Sequence, residues 1–185
     1  EYMNRALKVL LAKQDEIVDT VVRETGKARS DAMSMEIFAA ADSLCYYAKN
    51  AQKFLRTRKE RVHGLLGIAK QLRIVYRPLG VIGIITPWNG PFVLGLNPSV
   101  QALMAGNAVV LKGSEVTPYS TRLVEDVFRE AGLPPGVLQV LMGDGQTGAY
   151  LTEAGVDKIS FTGSVRTGRL IAETCAKQGV VPGTL

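Results

Sequence analysis

The chain has 185 residues and a net charge of +5, with 46% hydrophobic and 21% charged residues. That composition excludes a disordered chain, which would be polar and poor in apolar residues. The longest apolar runs, Val81 to Ile85 and Val109 to Leu111, fall far short of the roughly 18 residues a membrane span needs. Two cysteines, Cys45 and Cys175, exclude a disulfide scaffold and make a reducing cytoplasm the expected compartment.

The charge is uneven. Residues 1–78 carry +6 and residues 79–185 carry −1, and the excess gathers at Lys49, Lys53, Arg56, Arg58, Lys59 and Arg61. A nucleic-acid patch is one reading. Aromatic residues for base stacking are thin there, so a solvated helix end is the better account. Neither a nucleic acid nor a membrane is expected as a partner.

Taken in chain order, Leu7, Leu10, Leu11, Ile17, Val18, Val21 and Val22 fall near helical spacing, and Gly26 reads as the stop. Ile37, Ala40, Ala41, Leu44, Ala48, Ala51 and Leu55 mark a second helix. Glu1 begins without a capping residue or an initiator methionine, so further residues are expected upstream. After His63 the pattern alternates, and Leu72, Ile74 and Tyr76 read as one face of a half-exposed strand that Pro78 ends.

From Leu79 strand and helix alternate: strands at 79–86, 108–112, 137–142 and 158–161, helices at 92–105, 119–131, 147–154 and 165–177. Such alternation predicts an α/β fold with a Rossmann-like parallel sheet and flanking helices, here preceded by a helical hairpin. Ligands of such sheets bind outside the carboxyl ends of the strands. The expected units are a helical part at 1–65, a projecting strand at 66–78 and the sheet domain at 79–185.

Four junctions carry candidate chemistry. Gly143, Gly145 and Gly148 spell G-x-G-x-x-G between a strand and a helix, either a dinucleotide loop or a glycine-rich turn. The acidic residue expected about 20 positions on is missing, since Asp157 comes too early. Phe161-Thr162-Gly163-Ser164 is a second strand-to-helix junction. There Thr162 or Ser164 can cap the helix, the first amides can hold an anion, and Gly163 lets a ligand approach closely.

Lys112 and Glu115, around Gly113 and Ser114, can serve ribose hydroxyls or form a surface ion pair of small value. Pro87-Trp88-Asn89-Gly90-Pro91 follows the most apolar strand. Its two prolines stiffen a loop whose asparagine amide can donate to an oxyanion. With one histidine, His63, and two distant cysteines, no metal site is expected.

In series these motifs resemble the aldehyde dehydrogenase superfamily. The carriers are Glu24-Thr25-Gly26-Lys27, Pro78-Leu79-Gly80-Val81, Thr86-Pro87-Trp88-Asn89-Gly90-Pro91 and Ala105-Gly106-Asn107-Ala108-Val109-Val110-Leu111-Lys112. They continue with Ser114-Glu115-x-Thr117-Pro118, Gly132-Leu133-Pro134-Pro135-Gly136-Val137, and Phe161-Thr162-Gly163-Ser164 with Gly168-Arg169.

The resemblance implies oxidation of an aldehyde to a carboxylic acid with NAD or NADP, through a thiohemiacetal on a cysteine. It implies Asn89 as the side-chain donor of the oxyanion hole, and Lys112, Ser114 and Glu115 at the adenine ribose. It places Gly163 and Ser164 under the pyrophosphate beside Phe161 and Thr162, and Ile85, Thr86, Pro87 and Trp88 as the wall beside the cofactor. Gly145 then belongs to a turn near the adenine end. Glu115, a carboxylate near the 2′-hydroxyl, favours NAD.

The resemblance also implies that residues 66–78 belong to an oligomerisation arm of a dimer or tetramer. Gly113 departs from the proline common there, which is expected to free the loop. Val181-Pro182-Gly183-Thr184-Leu185 stands at the threshold of the family's general-base motif, and neither Cys45 nor Cys175 matches the nucleophile's context. The expectation is an amino-terminal, cofactor-binding portion, inactive alone and without the catalytic domain. The alternative is an inert nucleotide-binding or partner-binding fragment.

Overall fold

The computed structural model describes residues 1–179 and the backbone of residues 181 and 182. Residues 180 and 183–185 lie outside the described residues. With them falls most of the expected approach to the general-base motif.

The elements run α1 (Tyr2–Ala12), α2 (Gln14–Thr25), α3 (Arg29–Ala32), a π-helical segment (Met33–Phe38) and α4 (Ala39–Leu55). Next come β1 (Arg58–Glu60), α5 (Leu66–Ala69), β2 (Leu72–Ile74), β3 (Val81–Ile85), α6 (Val93–Met104) and β4 (Ala108–Lys112). The chain continues with α7 (Pro118–Glu130), β5 (Leu138–Leu141), α8 (Gly145–Glu153), β6 (Lys158–Phe161), α9 (Val165–Gln178) and β7 (Val181–Pro182).

The α/β architecture is as the alternation predicts. Five parallel strands lie in the order β5-β4-β3-β6-β7. The chain builds outward from β3 to β5 and returns to lay β6 on the other side of β3. A crevice opens at that reversal, outside the carboxyl ends of β3 and β6.

Two apolar cores cover the two faces of the sheet. Ile82, Ile84, Val109, Leu111 and Leu138 meet Leu10, Ile17, Val21, Leu44, Leu96, Val100, Val124 and Phe128 from the helices on one side. Ile159, Phe161 and Ile85 meet Leu151 and Cys175 on the other. Burial of both faces explains the near-continuous apolar reading of β3 and β4.

The helical hairpin forms with two changes. The first helix bends at Lys13 (φ −99°, ψ 9°) into α1 and α2. The Lys13 ammonium bonds Glu130 at 2.9 Å and Glu16 at 3.0 Å, and these carboxylates hold its pKa above the ordinary lysine value. The second helix carries the π-helical segment, a local underwinding with no periodicity signal of its own.

The half-exposed strand shrinks to β2, and it is not alone. β1 pairs with it antiparallel, Arg58 opposite Ile74 and Glu60 opposite Leu72. Residues 58–60, which composition groups with the helices, therefore belong to the same ribbon as 72–74. The basic residues from Lys49 to Arg61 are all exposed.

Side-chain acceptors from one element hold the backbone amides of another. Glu24 accepts the Tyr119 and Ser120 amides at 2.9 and 2.8 Å, closing the start of α7. Asn107 accepts the Leu79 and Gly80 amides at 2.7 and 3.0 Å and donates to the Ala102 carbonyl. The strand consequently starts at Val81, not Leu79. Glu36, fully buried, accepts from Lys27 and from the Phe92 and Val93 amides at the start of α6.

Replacing Glu36 by alanine strands a lysine ammonium and two buried amides. Its expected cost is about 3–5 kcal/mol, read as a lower urea midpoint at unchanged m-value. Glu24→Ala removes a less buried helix cap and is expected to cost about 0.5–2 kcal/mol.

Candidate cofactor crevice

The carboxyl ends of three strands fall in one row. Ile85 of β3 stands opposite Lys112 of β4 on one side and Phe161 of β6 on the other. The Thr86 amide donates to the Lys112 carbonyl at 3.1 Å, and the Thr162 amide donates to the Ile85 carbonyl at 3.0 Å. These two bonds tie the loops leaving β3 and β6 to the ends of the neighbouring strands. Twelve of the thirteen candidate residues, Gly145 apart, lie in or directly after these strand ends.

Around the row the exposures differ. Ile85, Thr86, Lys112 and Phe161 are buried, while Trp88, Asn89, Glu115, Thr162, Gly163 and Ser164 face solvent. Pro87 and Ser114 are half-buried. The Thr86 hydroxyl oxygen is buried without a hydrogen-bond partner, a group that a ligand in the crevice can satisfy. Lys112 reaches the Glu115 carboxylate at 3.5 Å, with its own side chain almost wholly covered and that of Glu115 exposed. The surface ion pair and a ligand role for Lys112 are compatible, since the carboxylate engages the ammonium loosely.

The two glycine-containing helix starts are chemically unlike. At α8 the Asp144 carboxylate accepts the Gln146 and Thr147 amides at 2.9 and 3.4 Å. An anion already occupies that terminus, so G-x-G-x-x-G is a self-capped turn here, and Gly145 sits inside the first turn of α8. At α9 the cap is neutral. Ser164 accepts the Thr167 amide through its hydroxyl, and its carbonyl accepts the Gly168 amide. The first-turn amides of Val165 and Arg166 have no partner among the described residues. They stand at the positive end of a 14-residue helix, a place suited to phosphate.

One glycine gains a second reason and another is corrected. A Cβ on Gly163 would lie 2.5 Å from the Phe161 ring, so packing on that ring also calls for a glycine there. A Cβ on Gly113 would lie 2.0 Å from the Thr121 hydroxyl. Gly113 is buried, and its missing side chain admits Thr121; the loop is packed, not freed.

A cavity of about 220 Å³ opens beside the row between α8 and α9. Ile85 and Lys112 meet Gly145, Gly148, Leu170 and Ile171 in its lining. It is small and largely apolar, with one cation at its edge. Sequence reasoning missed Leu170 and Ile171, because apolar residues on a helix read first as core.

Cys175 packs in the core behind β6, where burial pushes its thiol pKa up. No cluster of three metal-ligating side chains occurs among the described residues. No helix there is long and apolar enough to cross a membrane.

The whole chain, residues 1–185, matches the aldehyde dehydrogenase family. The chain belongs to that family. It is 42% identical over 173 residues to 4,4'-diapolycopene aldehyde oxidase of a Methylomonas species, covering 94% of this chain and 33% of that protein.

Among solved structures, Mycobacterium tuberculosis aldehyde dehydrogenase complexed with NAD+ is similar at 33% identity and a TM-score of 0.91, covering 100% of this chain and 37% of that one. NAD-dependent aldehyde dehydrogenase from Sinorhizobium meliloti is similar at 33% identity and a TM-score of 0.89, covering 98% and 36%. The chain thus spans about a third of the length of the relatives it matches.

Packing at Gly113 can be tested directly. Gly113→Ala forces Thr121 or the loop to move and is expected to lower stability by about 1–3 kcal/mol. A thermal melt beside the unchanged chain measures it.

Proposed function

We propose that this chain is the cofactor-binding part of an NAD-dependent aldehyde dehydrogenase and supplies the oxyanion donor of its reaction. The observation that carries this is the stitched row of Ile85, Lys112 and Phe161. The helix start of α9 follows β6, and the Asn89 loop follows β3, the middle strand of the row.

The residues present fit the dinucleotide. The unpartnered amides of Val165 and Arg166 beside Gly163 and Ser164 suit the pyrophosphate, under the neutral Ser164 cap. Lys112, with Ser114 and Glu115, suits the hydroxyls of the adenine ribose, and the cavity between α8 and α9 suits the flat adenine. Ile85, Thr86, Pro87 and Trp88 suit a wall beside it, and a polar group of the cofactor would satisfy the unpartnered Thr86 hydroxyl. A carboxylate at Glu115 disfavours a 2′-phosphate, which supports NAD over NADP. When bound, the nicotinamide ring supplies the hydride acceptor.

The chain's own chemistry is then positional and electrostatic. The exposed Asn89 amide donates to the carbonyl oxygen as it gains charge, and the proline-flanked loop fixes its direction before the reaction begins. Neither Cys45 nor Cys175 is placed as the nucleophile; both belong to helices. Their free thiols suit a cytoplasmic setting.

The ribbon of β1 and β2, with Leu65, Leu66, Ile68 and Leu72 exposed beside it, suits an arm. A two-stranded ribbon is marginal alone and gains by joining another copy, giving a dimer or tetramer.

Calorimetric titration of the chain with NAD tests the cofactor reading. Binding is expected, and Lys112→Ala is expected to weaken it at least about tenfold, the value of a charged hydrogen bond; no heat at millimolar NAD sinks that reading. In the complete protein carrying these residues, Asn89→Ala is expected to lower kcat by about 10²–10³ while NAD affinity holds. An undiminished rate removes the oxyanion role.

A further inference from the structure

Glu36 is the charged residue that sequence patterning passes over. It sits mid-helix in the π-helical segment Met33–Phe38, and its side chain is fully buried. A wider, underwound turn of this kind moves a side chain out of the ordinary helical register, and such segments recur at functional sites.

One carboxylate oxygen takes the Lys27 ammonium. The other accepts the Val93 amide at 2.9 Å and the Phe92 amide at 3.2 Å. These are the first backbone donors of α6, which no helical carbonyl can satisfy.

Asn89 lies three residues before Phe92 in a loop with little slack. Upstream, the Thr86 amide is bonded to Lys112 of the neighbouring strand. Downstream, the Leu94 amide returns to the Gly90 carbonyl at 2.9 Å, and Pro91 and Phe92 are buried. Prolines at 87 and 91 fix two of the intervening φ angles. The Asn89 side chain is exposed and has no hydrogen-bond partner among the described residues. Its position is inherited from the backbone, and the backbone's downstream anchor is Glu36.

We propose that Glu36, held by Lys27, is a positioning residue for Asn89: its carboxylate sets the start of α6 and thereby aims the asparagine amide at the reacting oxygen. This rests on the oxyanion role proposed above for Asn89. A plain helix cap would serve stability alone. A positioning residue acts on the rate, and acts through Asn89.

Two paired variants separate these roles. Lys27→Met/Glu36→Leu and Lys27→Met/Glu36→Gln both remove both charges, so neither leaves a bare buried ion. Only the glutamine keeps an acceptor for the Phe92 and Val93 amides. Steady-state aldehyde oxidation is measured in the complete protein carrying these residues, for each pair alone and with Asn89→Ala.

The leucine pair is expected to lower kcat about 10-fold to 100-fold, the penalty of a misplaced group, with KM for NAD unchanged. The glutamine pair is expected to keep most of the rate. On top of Asn89→Ala, the leucine pair is expected to cost nothing further, the mark of two residues acting as one unit. Additive losses, or equal losses for glutamine and leucine, overturn the proposal. A full rate in Asn89→Ala alone instead overturns the oxyanion reading.

If the leucine pair fails to fold, Lys27→Met/Glu36→Met, which also lacks an acceptor for the two amides but keeps a flexible side chain of similar volume, carries the same cycle with Asn89→Ala, and additivity there overturns the proposal. A readout without turnover comes from Trp88, the only tryptophan of the chain and the neighbour of Asn89. Its acrylamide quenching is expected to rise in the leucine pair and not in the glutamine pair. Unchanged quenching in both overturns the proposal.

Discussion

Buried and half-buried acceptors ending on backbone amides tie the helical layer to the sheet. Glu36 spans from the π-helical segment to the start of α6, and Glu24 spans from the end of α2 to the start of α7. Each replaces water on amides that the next helix cannot satisfy itself, at the end where its dipole favours negative charge. A buried carboxylate is a poor source of net stability, because desolvation offsets most of its attraction to Lys27. Its effect is geometric: only one placement of the helical layer satisfies all the donors.

That geometry reaches the crevice. The first residues after β3 and β6 are bonded to the last residues of β4 and β3, so the ladder holding Ile85, Lys112 and Phe161 in one row continues past the strand ends. Beyond the row, the two helix starts differ in the charge of their caps. Asp144 fills the start of α8 with a carboxylate, while Ser164 leaves α9 with a neutral hydroxyl and unpartnered amides. An anion meets repulsion at one and free donors at the other. The familiar glycine spacing therefore lies at the helix start already capped by a carboxylate, and the start with the neutral cap lacks it.

Much of this was legible in the sequence. Alternating strand and helix patterns gave the sheet, and the placement of twelve candidates near strand ends followed from where each pattern stopped. Glu24, Lys27 and Asn107 stood in motifs that marked the resemblance, but their work as caps and clamps is tertiary and leaves no periodic trace. Glu36 left less still: a lone acid in an apolar stretch reads as an exposed position. Gly113 misled because a glycine signals freedom locally, whereas Thr121, eight residues on, fills the space it vacates. β1 was lost for a similar reason. Three charged residues, Arg58-Lys59-Glu60, have no apolar alternation, and only pairing with β2 makes them a strand.

The exposed and buried members of the crevice divide the work along the same line. Ile85, Thr86, Lys112 and Phe161 are held by the sheet and by core packing, so their positions are fixed at folding. Asn89, Glu115, Thr162 and Ser164 face solvent and make few contacts of their own, so backbone anchors must fix them instead. An amide that stabilises developing charge is effective to the extent that it needs no reorganisation when the charge appears. For an exposed asparagine on a loop, that condition passes to the residues pinning both ends of the loop. On the oxyanion role proposed for Asn89, the buried carboxylate behind α6 serves the crevice through the backbone, although it touches nothing in it.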